Sequence, residues 1–153
     1  MSSKKKKILF TLAIYLSIAL ITLTANLMIQ SSKTQGYIQH FKEQNGEQIL
    51  EELSDTYKLI MESYSNYKLD KEAKAKVTHQ LNRLNKELRK VDKEINSRNV
   101  PHPINFSFIY QDMKLVNLAL ADSTKDGVIT VIVLHAMEGL GDLKKEITYI
   151  QYR

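Results

Sequence analysis

The sequence contains no cysteine, and this absence excludes several kinds of site and anchor. Without thiols the chain can form neither disulfide bonds nor thiolate metal sites, so an exported domain must be stabilised by packing alone. A lipid attached to an N-terminal cysteine is excluded for the same reason. Acidic residues are also missing before Glu43, which removes the carboxylate that a pilin-like N-terminal helix would carry.

Charge of either sign is missing from Ile8 to Ser32, directly after four consecutive lysines. The apolar part, 8–29, would form a helix about 33 Å long, which matches the roughly 30 Å thickness of a bilayer core. We therefore expect a transmembrane helix that anchors the chain in the cell membrane. Positive charges beside a span resist translocation, so the lysines predict a cytoplasmic N-terminus and a C-terminal domain outside the cytoplasm. These lysines are Lys4, Lys5, Lys6 and Lys7.

A cleavable signal peptide is the alternative interpretation of the same segment, because it also begins with a basic region followed by an apolar one. The best cleavage site follows Ala25, but it places the bulky Leu23 where a small residue is preferred. The uncleaved anchor is therefore favoured. Cleavage near Ala25 would release a secreted helical protein, such as an effector or an immunity-type protein.

Composition argues against a nucleic-acid-binding protein. The net charge is +5, but the lysine run supplies four of these charges and the remainder of the chain is close to balanced. A nucleic-acid-binding domain needs a basic face on its folded part. The excess of lysine over arginine, with frequent Asn and Ile, indicates an AT-rich bacterial genome.

Four segments follow from these observations, and the last is long enough for one small domain. We predict a cytoplasmic basic segment, a transmembrane helix, a stalk and a helical bundle, at 1–7, 8–29, 30–46 and 47–153. The stalk contains Gly36 and Gly46, so it is either flexible or a continuation of the membrane helix. Its Tyr37, Ile38 and Phe41 either rest at the membrane surface or pack on the bundle.

Apolar residues spaced three and four apart predict two amphipathic helices joined as an antiparallel hairpin. The first covers 47–67. The second contains a stripe from Val77 to Ile95, with Asp70 as its N-cap, and ends before Pro101.

Two further helices complete the predicted all-α bundle. One covers 106–121, with Asn105 or Ser107 as its cap. The last segment is ambiguous, because 128–134 is rich in β-branched residues after an Asp-Gly turn signal, which favours a strand. Apolar residues from Ile129 to Ile150 nevertheless keep a helical spacing, so we predict a helix in which Gly139 and Gly141 mark a kink or a break.

No pattern of residues indicates catalysis, a cofactor or a metal. The four histidines are scattered, and although His135 and Glu138 are three apart and could share a helical face, two residues are too few for a metal site. Gly139 and Gly141 lack the third glycine of a dinucleotide loop, and no serine lies in a nucleophile elbow. We therefore predict a protein without enzymatic activity.

Three tyrosines lie along the apolar stripe of the first hairpin helix, where leucine would pack more simply. They are Tyr57, Tyr64 and Tyr67. Buried tyrosine needs a partner for its hydroxyl, so these three are either ordinary residues at the rim of the bundle or, as we hypothesise, an interaction surface for another membrane or exported protein. Self-association through the hairpin stripes is the other form of this hypothesis. The alternative is a sensory bundle that binds a small molecule near Tyr57, Tyr64 and Phe106.

Overall fold

The computed structural model describes residues 3–66, 69–97, 103–121 and 126–151, which form five α-helices and no strand. The helices are α1 (Ser3–Glu43), α2 (Gly46–Asn66), α3 (Lys71–Asn96), α4 (Ser107–Ala121) and α5 (Asp126–Gln151). The predicted all-α fold, a long apolar N-terminal helix followed by a helical bundle, is confirmed. The helical interpretation of 128–134 is also confirmed, because this segment lies within α5.

Helices α2 to α5 form an antiparallel four-helix bundle. Each helix packs on the next along the chain, and α5 packs back on α2. The direction is visible between α3 and α4, where Tyr110 bonds to Asp92 and the later Asn117 bonds to the earlier Asn82. The apolar stripe of α3 from Val77 to Ile95 faces this interior, as does that of α2 from Leu50 to Ile60, so these residues are already buried within a single chain.

The helix starts follow the local chemistry of the sequence. Asp70 has extended backbone angles, and its Oδ1 accepts a 2.7 Å hydrogen bond from the N–H of Ala73, so the predicted N-cap of α3 is confirmed. Before α4, Oδ1 of Asn105 accepts a 3.0 Å hydrogen bond from the N–H of Ser107. Both side chains satisfy backbone donors that a helix start leaves unpaired.

The predicted stalk is mostly helical, because α1 continues through Gly36 to Glu43. Tyr37, Ile38 and Phe41 are at most 3 % exposed, so they pack on the bundle and do not rest at the membrane surface. The chain then turns through Asn45, whose φ of 59° is a left-handed conformation that asparagine tolerates after a helix.

Helix α5 runs without interruption through Gly139 and Gly141, so these glycines do not break the helix, which was one of the two predicted alternatives. Gly139 lies against Asp112 and Phe108 of α4, and a Cβ there would be 3.0 Å from Oδ2 of Asp112. The residue therefore permits close packing of two helices. Burial of the apolar side of α5 offsets the cost of glycine inside a helix, which is about 1 kcal/mol.

Candidate functional site

The N-terminal part of α1 presents apolar side chains all around the helix. Every large apolar side chain between Ile8 and Ile29 is between 44 % and 75 % exposed. Within the described residues, α1 is the one helix that is long and apolar enough to cross a membrane. Lys6 and Lys7 lie at its start, whereas the side chains of Lys4 and Lys5 are outside the described set.

The serine and threonine hydroxyls within this apolar segment are satisfied by the backbone of the helix itself. Thr11, Ser17 and Thr22 each donate a hydrogen bond of 2.9 to 3.0 Å to the carbonyl oxygen four residues earlier. These bonds leave no hydroxyl proton of the three residues to be solvated by lipid, which cannot accept one. The segment therefore suits a hydrocarbon environment despite its threonine and serine content.

Beyond the apolar segment, α1 enters the bundle through the buried phenol of Tyr37. This hydroxyl donates a 2.7 Å hydrogen bond to Oδ1 of Asn96 and accepts a 2.8 Å bond from the N–H of Ile104. Burial raises the pKa of Tyr37 to about 12, and the bond from Ile104 opposes part of that rise. The phenol is thus neutral at any physiological pH and holds both partners.

The same polar cluster continues into α3 and α4. Nδ2 of Asn96 donates to Oδ1 of Asp92 at 2.6 Å and to the carbonyl oxygen of Ile104 at 2.9 Å. The Tyr110 hydroxyl donates to Oδ2 of Asp92 at 2.8 Å. Burial, and then its hydrogen bond to Asp92, raises the pKa of Tyr110. We call this set, Tyr37, Asp92, Asn96, Ile104 and Tyr110, the junction network.

Two ring contacts support the junction network from outside. The guanidinium of Arg89 lies 4.1 Å from the ring centre of Tyr110, a cation–π arrangement. The rings of Phe41 and Phe106 are stacked with their centres 6.1 Å apart. Since Phe41 belongs to α1 and Phe106 precedes α4, this stack joins the same parts of the chain. The network therefore fixes the direction in which the bundle leaves α1.

The junction network could not be recognised from the sequence. Its polar members lie beside the apolar stripes, where exposed polar residues are equally common, and they meet only in the folded chain. Local spacing assigns Asn96 to the end of the second hairpin helix and leaves two alternative positions for Tyr37. The one local signal is the pair Asp92 and Asn96, which are four residues apart and therefore share a helical face.

One member of the predicted tyrosine surface lies inside the protein. Tyr57 is completely buried, and its hydroxyl has no hydrogen-bond partner among the described residues. Tyr64 is half-buried, and its hydroxyl also lacks a partner in the part of the chain that the structure describes. Tyr67 lies outside the described residues. Tyr57 is therefore a core residue and not part of a docking surface, because the stripe that carries it faces the bundle interior.

A buried carboxylate lies near Tyr57. Asp112 of α4 is 7 % exposed, and burial raises its pKa, while His135 of α5 acts in the opposite direction. Burial is also the main cause that raises the pKa of Tyr57, and the charge of Asp112 adds to it. The core thus contains two polar groups from different helices, but it does not gather the three aromatic residues proposed for a ligand pocket at one place. Phe106 stacks on Phe41 beside Gly46, and Tyr57 lies about 16 Å further along α2.

A second exposed apolar region lies on the bundle itself, along the outer side of α4 and α5. Its four side chains are between 48 % and 65 % exposed. They are Leu115, Leu118, Val128 and Val131, which we call the α4–α5 patch. The sequence gives little sign of it, because these residues fall between the buried positions of two helices that are apolar on several sides.

Among the residues that the structure describes, no group of three His, Asp or Glu side chains is arranged to hold a metal ion. Comparison of the chain with protein-family models, curated proteins and solved structures finds no match. A functional interpretation therefore depends on the anchor-like helix, the junction network and the α4–α5 patch.

Proposed function

We propose that the protein is a single-pass membrane-anchored helical module that binds other proteins and has no catalytic activity. The observation that carries the proposal is the continuity of α1, which exposes an apolar surface over 8–29 and is buried in the bundle from Tyr37 onward. One helix therefore serves both as the anchor and as part of the folded domain.

The proposed orientation places Lys6 and Lys7 in the cytoplasm and the bundle on the opposite side of the membrane. It depends on the resistance of flanking positive charges to translocation. From Ile29 to Tyr37 the helix rises about 12 Å. The bundle then stands close to the lipid surface, where its position relative to the membrane is restricted by the junction network.

Protein binding is favoured over catalysis by what the polar groups do. The side chains of the junction network bond to one another or to backbone atoms, which is a structural use of their donors and acceptors. The α4–α5 patch, by contrast, exposes four large apolar side chains, and exposed apolar patches are a mark of protein interaction sites. A surface of this kind suits contact with another protein.

Single cysteines test the anchor and its direction, since the chain has none of its own. We expect Lys86→Cys, on the exposed side of α3, to react with a membrane-impermeant maleimide in intact cells. The matched variant Lys6→Cys should react only after lysis, and both proteins should remain in the membrane fraction. The reverse labelling pattern would overturn the orientation.

The same cells separate the proposal from the secreted alternative. A chain found in the medium and beginning after Ala25 would support signal cleavage and contradict the anchor. Chemical crosslinking in the membrane should yield species larger than the monomer. A full-length chain that stays monomeric in the membrane and forms no crosslinked species would contradict the binding function.

A further inference from the structure

The α4–α5 patch differs from the rest of the bundle surface in its lack of charge. The exposed sides of α2 and α3 carry many charged residues, among them Glu51, Asp55, Lys58, Glu62, Lys76 and Lys86. By contrast, no residue of α5 from Gly127 to Leu134 is charged. Val131 is 65 % exposed and Leu118 is 56 % exposed, so the contrast concerns accessible surface.

The four residues of the patch lie on one side of the bundle. Phe108 and Asp112 of α4 contact Gly139 of α5, which marks where the two helices meet. Leu115 lies on the same side of α4 as Phe108, because it is two helical turns further along the chain. Val128 lies on the same side of α5 as Gly139, because it is three helical turns earlier. Within the described residues, α1 contacts α2, α3 and α5 but not α4, so it leaves this side open.

We propose that the α4–α5 patch binds a second copy of this chain across a twofold axis, forming a dimer within the membrane. The inference rests on the proposed function, because both copies must be anchored from the same side of one bilayer. The apolar stripes of α2 and α3 are buried within each chain, so a second copy must use another side of the folded bundle. Two identical anchored chains are related naturally by an axis along the membrane normal.

Charge complementarity favours a second copy as the occupant. The contact of Asp112 with Gly139 gives a common reference level for α4 and α5. Along the helix axes, Lys114 lies about 3 Å and Glu138 about 1.5 Å from this level, both toward the α4–α5 turn. The two residues are therefore at nearly the same height, at the edge of the patch nearer α1. Both are exposed, and neither forms an ion pair with another described residue. A twofold axis parallel to the helices places α4 of one copy opposite α5 of the other, so Lys114 faces Glu138 twice.

The size of the surface explains why the anchor is needed. Helix α4 has 15 residues and is about 22 Å long, and two adjacent helices are about 20 Å wide. A contact over that face buries about 900 Å² in total, which is below the roughly 1,200 Å² at which stable complexes begin. Confinement of both copies to one membrane raises their effective concentration and compensates for the small area.

A disulfide between cysteines at two different positions, one on each copy, tests the geometry in membranes. Leu118 and Val131 lie at similar heights on opposite helices, so the dimer brings Leu118 of one copy close to Val131 of the other. Two differently tagged full-length chains, Leu118→Cys and Val131→Cys, are expressed together and oxidised. We expect a mixed disulfide dimer at high yield, whereas Leu118→Cys paired with Lys86→Cys on α3 should give little. Equal yields in the two pairs, or adducts whose mass is not twice that of the chain, would overturn the inference.

A charge exchange provides the second test, in the same oxidised membranes. We expect Lys114→Glu alone and Glu138→Lys alone each to lower the yield of the mixed disulfide severalfold, because each creates like-charge contacts. The double variant should restore it, an outcome that a merely structural role of either residue would not produce. If the double variant does not restore the disulfide although the maleimide still labels the bundle from outside the cell, the dimer alone is contradicted. If the chain is missing from the membrane fraction, the proposed function is contradicted.

Discussion

Tyr37 and Asn96 are 59 positions apart in the sequence, and a 2.7 Å hydrogen bond joins the phenol of the first to the side-chain oxygen of the second. Tyr37 belongs to the helix that we propose as the anchor, and Asn96 ends the second helix of the bundle. The bond therefore couples the two parts of the molecule directly. A movement of α1 in the membrane would have to break this bond or move the bundle with it.

Replacement of Tyr37 by phenylalanine should destabilise the bundle. The variant keeps the ring but leaves Oδ1 of Asn96 without its donor and the N–H of Ile104 without its acceptor. Leaving such buried groups unpaired costs about 1–3 kcal/mol. The measurement is thermal unfolding of the full-length chain in detergent, followed by circular dichroism. An unchanged melting temperature would mean that water replaces the lost bonds and that the junction network is not a stabilising element.

Tyr57→Phe is the matched variant and should have the opposite effect. The Tyr57 hydroxyl is buried and has no hydrogen-bond partner among the residues that the structure describes, so its removal takes away an unfavourable desolvation and no bond. We expect stabilisation by about 1 kcal/mol in the same unfolding experiment. Tyr57→Leu should be destabilised, because it removes part of a fully buried ring and leaves a cavity. A loss of stability in Tyr57→Phe would show that the hydroxyl has a partner, such as a buried water molecule.

The buried carboxyl of Asp112 should make stability depend on pH. Burial raises its pKa in the folded chain above the value of about 3.9 expected when unfolded. The folded state therefore keeps this proton to higher pH than the unfolded state does. The contribution of Asp112 to the free energy of unfolding falls as the pH rises from its pKa in the unfolded chain through its pKa in the folded chain. We expect Asp112→Asn to be more stable than the parent at neutral pH and to lose that advantage below about pH 4.

Melting temperatures of the parent and of Asp112→Asn, measured across this range, check the prediction. Glu62→Gln is the control, because Glu62 is an exposed carboxylate on α2 and its replacement should change the pH profile little. A difference between parent and Asp112→Asn that stays constant with pH would show that the carboxyl is not held protonated by burial.

Some of the fold could be predicted because it depends on contacts that are close in sequence. Apolar spacing identifies the buried side of α3 from Val77 to Ile95, and the side-chain chemistry of Asp70 identifies it as the cap. The position of Tyr57 is not predictable in this way. Spacing places it on the stripe, but whether that stripe faces a rim or the core depends on how closely α4 and α5 cover it.

The role of Gly139 is hidden from the sequence for a related reason. Glycine within a helical pattern is a signal for a break, and its other use, close approach of a second helix, needs a partner that the local sequence does not identify. That partner is Asp112, which lies 27 residues earlier in the chain. The α4–α5 patch and the junction network likewise combine residues from separate helices, so they depend on packing that local spacing does not specify.

The turn between α1 and α2 should be sensitive to a single added methyl group. The ring of Phe41 occupies the space that a Cβ on Gly46 would need. Phe41 is completely buried and stacked on Phe106, so the ring cannot move away without disturbing the junction. We expect Gly46→Ala to destabilise the full-length chain by about 1–3 kcal/mol, as overpacking of a core does.

Gly141→Ala is the matched control for this substitution. Apart from its chain neighbours and the backbone of its own helix, a Cβ at Gly141 would meet no described atom within 4 Å, and alanine favours a helix over glycine by about 0.5–1 kcal/mol. This variant should therefore unfold at the same temperature as the parent or slightly above it, in the same detergent and by the same circular dichroism measurement. If Gly46→Ala were as stable as Gly141→Ala, α1 would not be packed against the start of α2, and the rigid connection between anchor and bundle would be contradicted.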